Sequence, residues 1–111
     1  MKRGEIWTAS GGANYAGKPR PVLILQSDDF DTDSITICGL TSDPVGAQQF
    51  RLPIVPTSQN GLQLPSMAMV DKVTTMQRTK IGKRIGVLTA SDMTRVNRAM
   101  LVFLGLAGGA R

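Results

Sequence analysis

The chain has no histidine and only one cysteine among its 111 residues. Without histidine, Ser-His-Asp and Cys-His catalysis and any His-based zinc site are excluded. The lone Cys38 rules out an intramolecular disulfide and fits a reducing cytosol. Because it lies in the apolar run Ile35-Thr36-Ile37-Cys38-Gly39-Leu40, it reads as a small buried hydrophobe. The N-terminus does not resemble a signal peptide, and the longest apolar stretch is far too short to span a bilayer, so no membrane role is expected. The carboxylates are scattered. The single cluster, Asp28, Asp29, Asp31 and Asp33, lacks the glycine and terminal glutamate of a calcium loop and reads as a solvated turn. No metal site is expected. An enzyme built from this chain must work with Arg, Lys, Asp, Glu, Ser, Thr, Tyr or groups of its substrate.

The chain is long enough for one domain with a modest core, and 41% hydrophobic residues suit a folded globule. We take residues 1–107 as a single domain and 108–111, Gly-Gly-Ala-Arg, as a flexible tail. The net charge of +5 and the isoelectric point near 10.0 favour a polyanion such as nucleic acid, or an acidic protein. Simple solubility is the competing explanation. Lys72, Arg78, Lys80, Lys83 and Arg84 follow Asp71 with no further acid until Asp92, which makes that segment the best candidate electrostatic footprint. A solvated basic face is the alternative for any one of them.

Short β-branched and apolar segments separated by turn residues predict strands at Glu5–Ala9, Pro21–Gln26, Ser34–Leu40, Phe50–Val55, Ala68–Thr75 and Lys83–Leu88. Ser10-Gly11-Gly12 and Gln59-Asn60-Gly61 are turn signals. Pro53 cannot donate to a ladder, so its strand belongs at an edge. One helix is predicted near the C-terminus. Thr89 or Ser91 can cap it, Asp92 suits its positive end, and Met93, Val96, Met100 and Leu104 recur at helical spacing. The apolar turn Leu101-Val102-Phe103-Leu104 is assigned to the core, with a dimer contact as the alternative. Met76–Gly82 carries a weaker helical pattern, read as a short turn. Several short strands followed by one helix predict a mainly β fold, a small antiparallel barrel or two packed sheets.

The stretch Gly17-Lys18-Pro19-Arg20-Pro21-Val22-Leu23-Ile24-Leu25 is the most informative in the chain. Proline fixes its own φ and holds the preceding residue extended. Arg20 therefore enters a buried strand on a stiff backbone, and a fixed guanidinium is a five-donor fork suited to phosphate oxygens. A structural salt bridge is the alternative.

These features fall in a recognisable order: Lys2-Arg3-Gly4-Glu5-Ile6-Trp7, a Gly-rich loop with Tyr15, the Lys18–Ile24 stretch, a strand ending in Leu40-Thr41-Ser42, then Gly61-Leu62 and Val70-Asp71-Lys72-Val73-Thr74-Thr75. The order resembles the MazF/PemK (Kid) family of bacterial toxins, the RNA-cleaving halves of toxin–antitoxin pairs, over almost the whole chain. The resemblance implies a small SH3-like, CcdB-like antiparallel β-barrel with a C-terminal helix. It implies a homodimer that cuts single-stranded RNA with no metal and no cofactor, and a cognate antitoxin that blocks the site with an acidic disordered segment.

In such a reaction the ribose 2′-OH attacks the adjacent phosphate, leaving a 2′,3′-cyclic phosphate and a 5′-OH, while the protein positions the phosphate, offsets its charge and moves protons. Arg20 suits charge stabilisation; its pKa above ~12 makes it a poor base. By resemblance, Thr41 matches the family's catalytic threonine and Ser42 its neighbour; capping a turn toward Asp43-Pro44 is the alternative for both. Asp71 is a candidate acid, base, RNA contact or structural acceptor. Strand alternation would put it on the same face as Met69, which occupies the place of an arginine in some members and cannot transfer protons. Asn14 stands where some relatives have histidine. It can bind a base edge but cannot titrate. The loop Asn14–Lys18 reads as a substrate grip in which Tyr15 stacks on a base or packs the loop. Trp7 reads as core or dimer contact. Lys72, Arg78 and Arg51 are the remaining candidate RNA contacts. Two other functions compete: a CcdB-like toxin that poisons DNA gyrase by binding, and a silent RNA-binding domain. The first depends on the end of its terminal helix, and the Gly105–Arg111 tail offers no aromatic anchor there.

Overall fold

The run Val22–Leu25 is apolar at every position because its strand is covered on both faces. The computed structural model describes residues 1–10, 19–43 and 50–107. In it Leu23 and Leu25 join a core cluster with Ile6, Cys38, Leu40 and Ile54, whereas Val22 and Ile24 join another with Ala9, Ile35 and Ile37. Full burial of one such side chain contributes about 1.5–3 kcal/mol. The first cluster is closed by Val96 and Ala99 of the C-terminal helix, and the second by Trp7, Met76 and Ile81.

The strands are β1 (Glu5–Ala9), β2 (Arg20–Ile24), β3 (Ser34–Thr41), β4 (Leu52–Ile54), β5 (Ser66–Ala68), β6 (Thr74–Gln77) and β7 (Ile81–Val87), followed by helix α1 (Ala90–Phe103). Every pairing is antiparallel, in the order β4-β5-β3-β2-β1-β7, with β6 also on β3. The expected mainly β fold with a C-terminal helix is present. The sheet path among the described residues does not close, so "barrel" describes its curvature rather than a continuous ring. Pro53 lies on β4, at the end of that path, as a missing donor requires.

Two expectations are corrected. The predicted strand Ala68–Thr75 is broken. β5 ends at Ala68, a 3-10 turn spans Val70–Lys72, and β6 begins at Thr74. Both strands pair with the same edge of β3, β5 at Leu40–Thr41 and β6 at Ser34–Ile37. The turn carries the chain from one to the other, anchored by Met69 N–H to Gly39 O at 2.9 Å and Lys72 N–H to Met69 O at 2.9 Å. The second correction concerns Leu101–Leu104. These residues are exposed rather than core. Of α1, only Val96 and Ala99 are buried. Phe103 instead stacks on Phe50, centroids 5.8 Å apart. Thr89 caps α1, its Oγ1 accepting from Asp92 N–H at 3.1 Å. The weak helical pattern at Met76–Gly82 is realised as a 3-10 turn at Arg78–Lys80.

Candidate active site

Arg20 begins β2 between an exposed Pro19 and a half-buried Pro21. The register of β2 on β3 sets Val22 against Gly39 and Leu23 against Cys38. The ladder ends there, and Arg20 and Thr41 lie just beyond it, at the start of β2 and the end of β3. Both side chains line the same cavity of about 290 Å³, together with Ser42. They also line a neighbouring one of about 210 Å³ with Asp43 and Met69. Leu62, Gln63 and Leu64 also line the larger cavity.

Among the described residues, the guanidinium of Arg20 has no ion pair. Those of Arg51, Arg78, Arg84 and Arg95 are engaged by Asp71, Asp31, Glu5 and Asp92. Arg20 thus lines both cavities without an ion-pair partner among the described residues. Thr41 Oγ1 accepts a hydrogen bond from Asp43 N–H at 3.1 Å, so the turn-capping role is real. It does not compete with chemistry, because an accepting hydroxyl oxygen still has its own proton to donate. Ser42 is exposed at the cavity rim.

Asp71 lies in the 3-10 turn, so strand alternation with Met69 does not apply. Its Oδ1 accepts from Arg51 Nε at 2.8 Å, with both side chains 9% exposed. Asp71 thus acts here as a structural acceptor, one of its alternatives, for Arg51, the candidate RNA contact. Burial pushes the nearby Cys38 thiol up to about 12; a hydrogen bond involving the Met69 backbone opposes this, and the charge on Asp71 adds to it. Lys72 is exposed on the turn and lines neither cavity. Arg78 donates to the Thr32 carbonyl and lines a separate polar pocket with Asp28 and Asp31. Asn14, Tyr15 and Lys18 lie outside the described residues. The structure thus brings together Arg20, Thr41 and Ser42, and sets Asp71, Arg51, Lys72 and Arg78 elsewhere.

Sequence reasoning missed part of the cavity lining. The turn signal at Gln59-Asn60-Gly61 was visible, but nothing in it indicated that the next three residues would line a cavity with Arg20. Among the described residues no three His, Cys, Asp or Glu side chains gather to hold a metal ion, and no helix is long and apolar enough to cross a membrane.

Comparison with known proteins bears on the family and the fold. The family model described as "PemK-like, MazF-like toxin of type II toxin-antitoxin system" matches residues 2–104. The chain is 49% identical to the "Probable endoribonuclease MazF" of Mycolicibacterium smegmatis, over 97% of this chain and all of that one. It superposes on the Mycobacterium tuberculosis toxin MazF-mt6 with a TM-score of 0.75 at 26% identity, covering 91% of this chain and 96% of that one. A mycobacterial endoribonuclease solved in complex with its cognate antitoxin shares the fold, with a TM-score of 0.74 at 20% identity over 95% and 93% of the two chains.

Proposed function

The chain belongs to the PemK-like, MazF-like toxins of type II toxin–antitoxin systems, and from that premise we propose that it is the endoribonuclease of such a pair, cutting single-stranded RNA without a metal. The observation that carries the reading is the guanidinium of Arg20, without an ion pair among the described residues, lining one cleft with Thr41.

RNA supplies its own nucleophile. The 2′-oxygen forms a bond to phosphorus, the bond from phosphorus to the 5′-oxygen breaks, and the proton lost from the 2′-OH is balanced by one gained at the leaving oxygen. The products are a 2′,3′-cyclic phosphate and a 5′-OH. Arg20 grips the non-bridging oxygens and offsets the charge that grows on them. Thr41, held by the turn to Asp43, donates its proton to the same phosphoryl group, with Ser42 as a second donor at the rim. Asp71 is assigned to holding Arg51 rather than to proton transfer, because one of its oxygens is already engaged.

The partners in this reading are single-stranded RNA, a second copy of the chain and a cognate antitoxin whose acidic disordered segment occupies the basic surface. The exposed end of α1, with Leu101, Val102, Phe103 and Leu104, supplies apolar area for the homodimer. The site of action is the cytoplasm. The test is incubation of purified protein with a mixed single-stranded RNA pool in EDTA, with end-group analysis. Cyclic phosphate ends support the reading, and an intact pool overturns it.

A further inference from the structure

The sheet path has two ends. At one, β4 carries Pro53, which has no N–H to offer a further strand. At the other, β7 carries no proline. Its C-terminal half is covered by the turn at Gln59-Asn60-Gly61. Val87 N–H donates to Gln59 O at 2.9 Å, and a Cβ on Gly61 would lie 2.5 Å from the Ile85 carbonyl oxygen. Its N-terminal half is open. Gly82, Lys83 and Arg84 are exposed, and among the described residues their backbone groups bond only toward β1. Two register shifts between β1 and β7 accompany this stretch. Gly82 passes over Thr8, where a Cβ would lie 2.6 Å from the hydroxyl oxygen, and Lys83 N–H donates to that oxygen at 2.9 Å. Lys83 and Arg84, neighbours in sequence, are both exposed here, whereas a regular strand sends consecutive side chains to opposite faces. Lys80, just before the strand, is exposed as well. Glu5 holds Arg84 at 3.0 Å, but Lys80 and Lys83 enter no ion pair among the described residues.

We propose that the open edge of β7 is a docking site for an extended acidic segment of a partner polypeptide, which adds to the sheet as one more strand. An exposed edge offers a row of N–H and C=O groups, and another backbone is the ligand that matches both. The oxygens of a phosphodiester match only the donors, so nucleic acid is the poorer fit. Charge then selects among polypeptides. A second copy of β7 would set Lys83 and Arg84 against the same cations, which repel across a ladder. A strand with carboxylates at alternate positions reverses that sign. Its side chains on one face meet Lys80 and Lys83, while its backbone pairs along Gly82–Arg84. Of β7, only Ile85 lines the larger cavity, so this edge is separate from the lining around Arg20. The inference goes beyond the nuclease reading: the occupant is identified by the backbone pattern and charge of this edge, and its test reads binding rather than cleavage.

The test titrates the full chain with a fluorescein-labelled synthetic peptide that alternates glutamate with threonine, read by anisotropy, beside a second peptide that alternates glutamate with proline. The second keeps the carboxylates and loses every other N–H. The first is expected to bind roughly tenfold more tightly than the second and to slow amide exchange within Gly82–Arg84. Lys80→Glu combined with Lys83→Glu, checked for a native circular dichroism spectrum, is expected to weaken binding of the first peptide by roughly tenfold. Equal affinity for the two peptides overturns strand addition. Unchanged binding by the double variant, or slowed exchange only at other strands, overturns the site. Failure of the first peptide to bind overturns the proposal, and protection of the same amides by single-stranded polyuridylate instead would assign the edge to nucleic acid.

Discussion

Arg51 and Asp71, twenty residues apart in the chain, meet in an ion pair of 2.8 Å between Nε and Oδ1. The pair ties the approach to β4 to the turn between β5 and β6. Removing one partner of a buried pair strands the other charge, and such losses run to roughly 3–5 kcal/mol. Arg51→Ala and Asp71→Ala are each expected to lower the unfolding free energy by roughly 3 kcal/mol in urea titrations. Replacing both, as Arg51→Met with Asp71→Leu, is expected to cost less than either. Single variants within about 0.5 kcal/mol of wild type would show that the pair does not hold the fold.

Arg20 should behave in the opposite way. It is exposed and has no ion pair among the described residues. Arg20→Ala is expected to leave stability within about 0.5 kcal/mol of wild type while lowering RNA cleavage by roughly a hundredfold to a thousandfold. Arg20→Lys keeps the charge but loses the fork and should recover only part of the rate. Full activity in Arg20→Ala would remove the guanidinium from the mechanism.

Thr41 combines a structural and a chemical duty in one hydroxyl, and two substitutions separate them. Thr41→Val keeps the shape, loses the acceptor for Asp43 N–H and loses the proton donor. We expect about 1 kcal/mol of destabilisation and a rate lowered about a hundredfold. Thr41→Ser retains both functions and should stay within tenfold of wild type. Equal activity in the valine and serine variants would confine Thr41 to its turn.

Glu5 supplies a pH signature. Burial pushes its carboxyl up, but hydrogen bonds from the Lys2 backbone, Trp7 Nε1 and Arg84, with the charge of Arg84, outweigh that and hold its pKa below the ordinary 4.5. When the folded pKa is the lower one, the unfolded chain takes up the proton first as pH falls. The stabilisation is therefore complete above about 4.5 and is lost as pH drops through the folded value. The stability gap between wild type and Glu5→Gln, measured in urea at pH 7 and pH 3, should narrow at pH 3. An equal gap at both would show that the charge on Glu5 is not the cause.

Cys38 predicts the alkaline side. Its thiol is raised by burial from 9.0 to about 12, so the unfolded chain ionises there first. The stabilisation is complete below about 9 and is lost as pH rises toward 12. A thiol reagent at pH 8 is expected to label the native protein only as fast as it unfolds, and Cys38→Ala should show a shallower alkaline loss than wild type. Rapid labelling of folded protein would contradict this burial.

The elements that local chemistry specifies were legible in the chain. The capping side chain of Thr89, the edge strand with Pro53 and the turn at Gly61 each follow from one residue's conformational limits, and the structure has all three. The break after Ala68 was not legible, because Met69, Val70 and Val73 continue the apolar pattern of a strand. The bonding to β3 runs on to Met69, whose N–H donates to Gly39 O, and the chain leaves it only in the turn Val70–Lys72 that follows. The exposed Leu101–Leu104 turn misled in the same way. Apolar residues report that a surface is available for burial, not which surface covers it.

The sequence by itself determined the mainly β class, the stiff entry of Arg20 into its strand and the chemistry open to a chain without histidine, because these depend on side-chain identity and on φ restrictions within a few residues. Only the tertiary structure decided that Thr41 shares a cleft with Arg20, that Asp71 is bound by Arg51, and that Gln63 lines that same cleft. Those three juxtapositions depend on strand register and on how the sheet curves, and both are settled by many distant packing contacts at once rather than by any short stretch of chain.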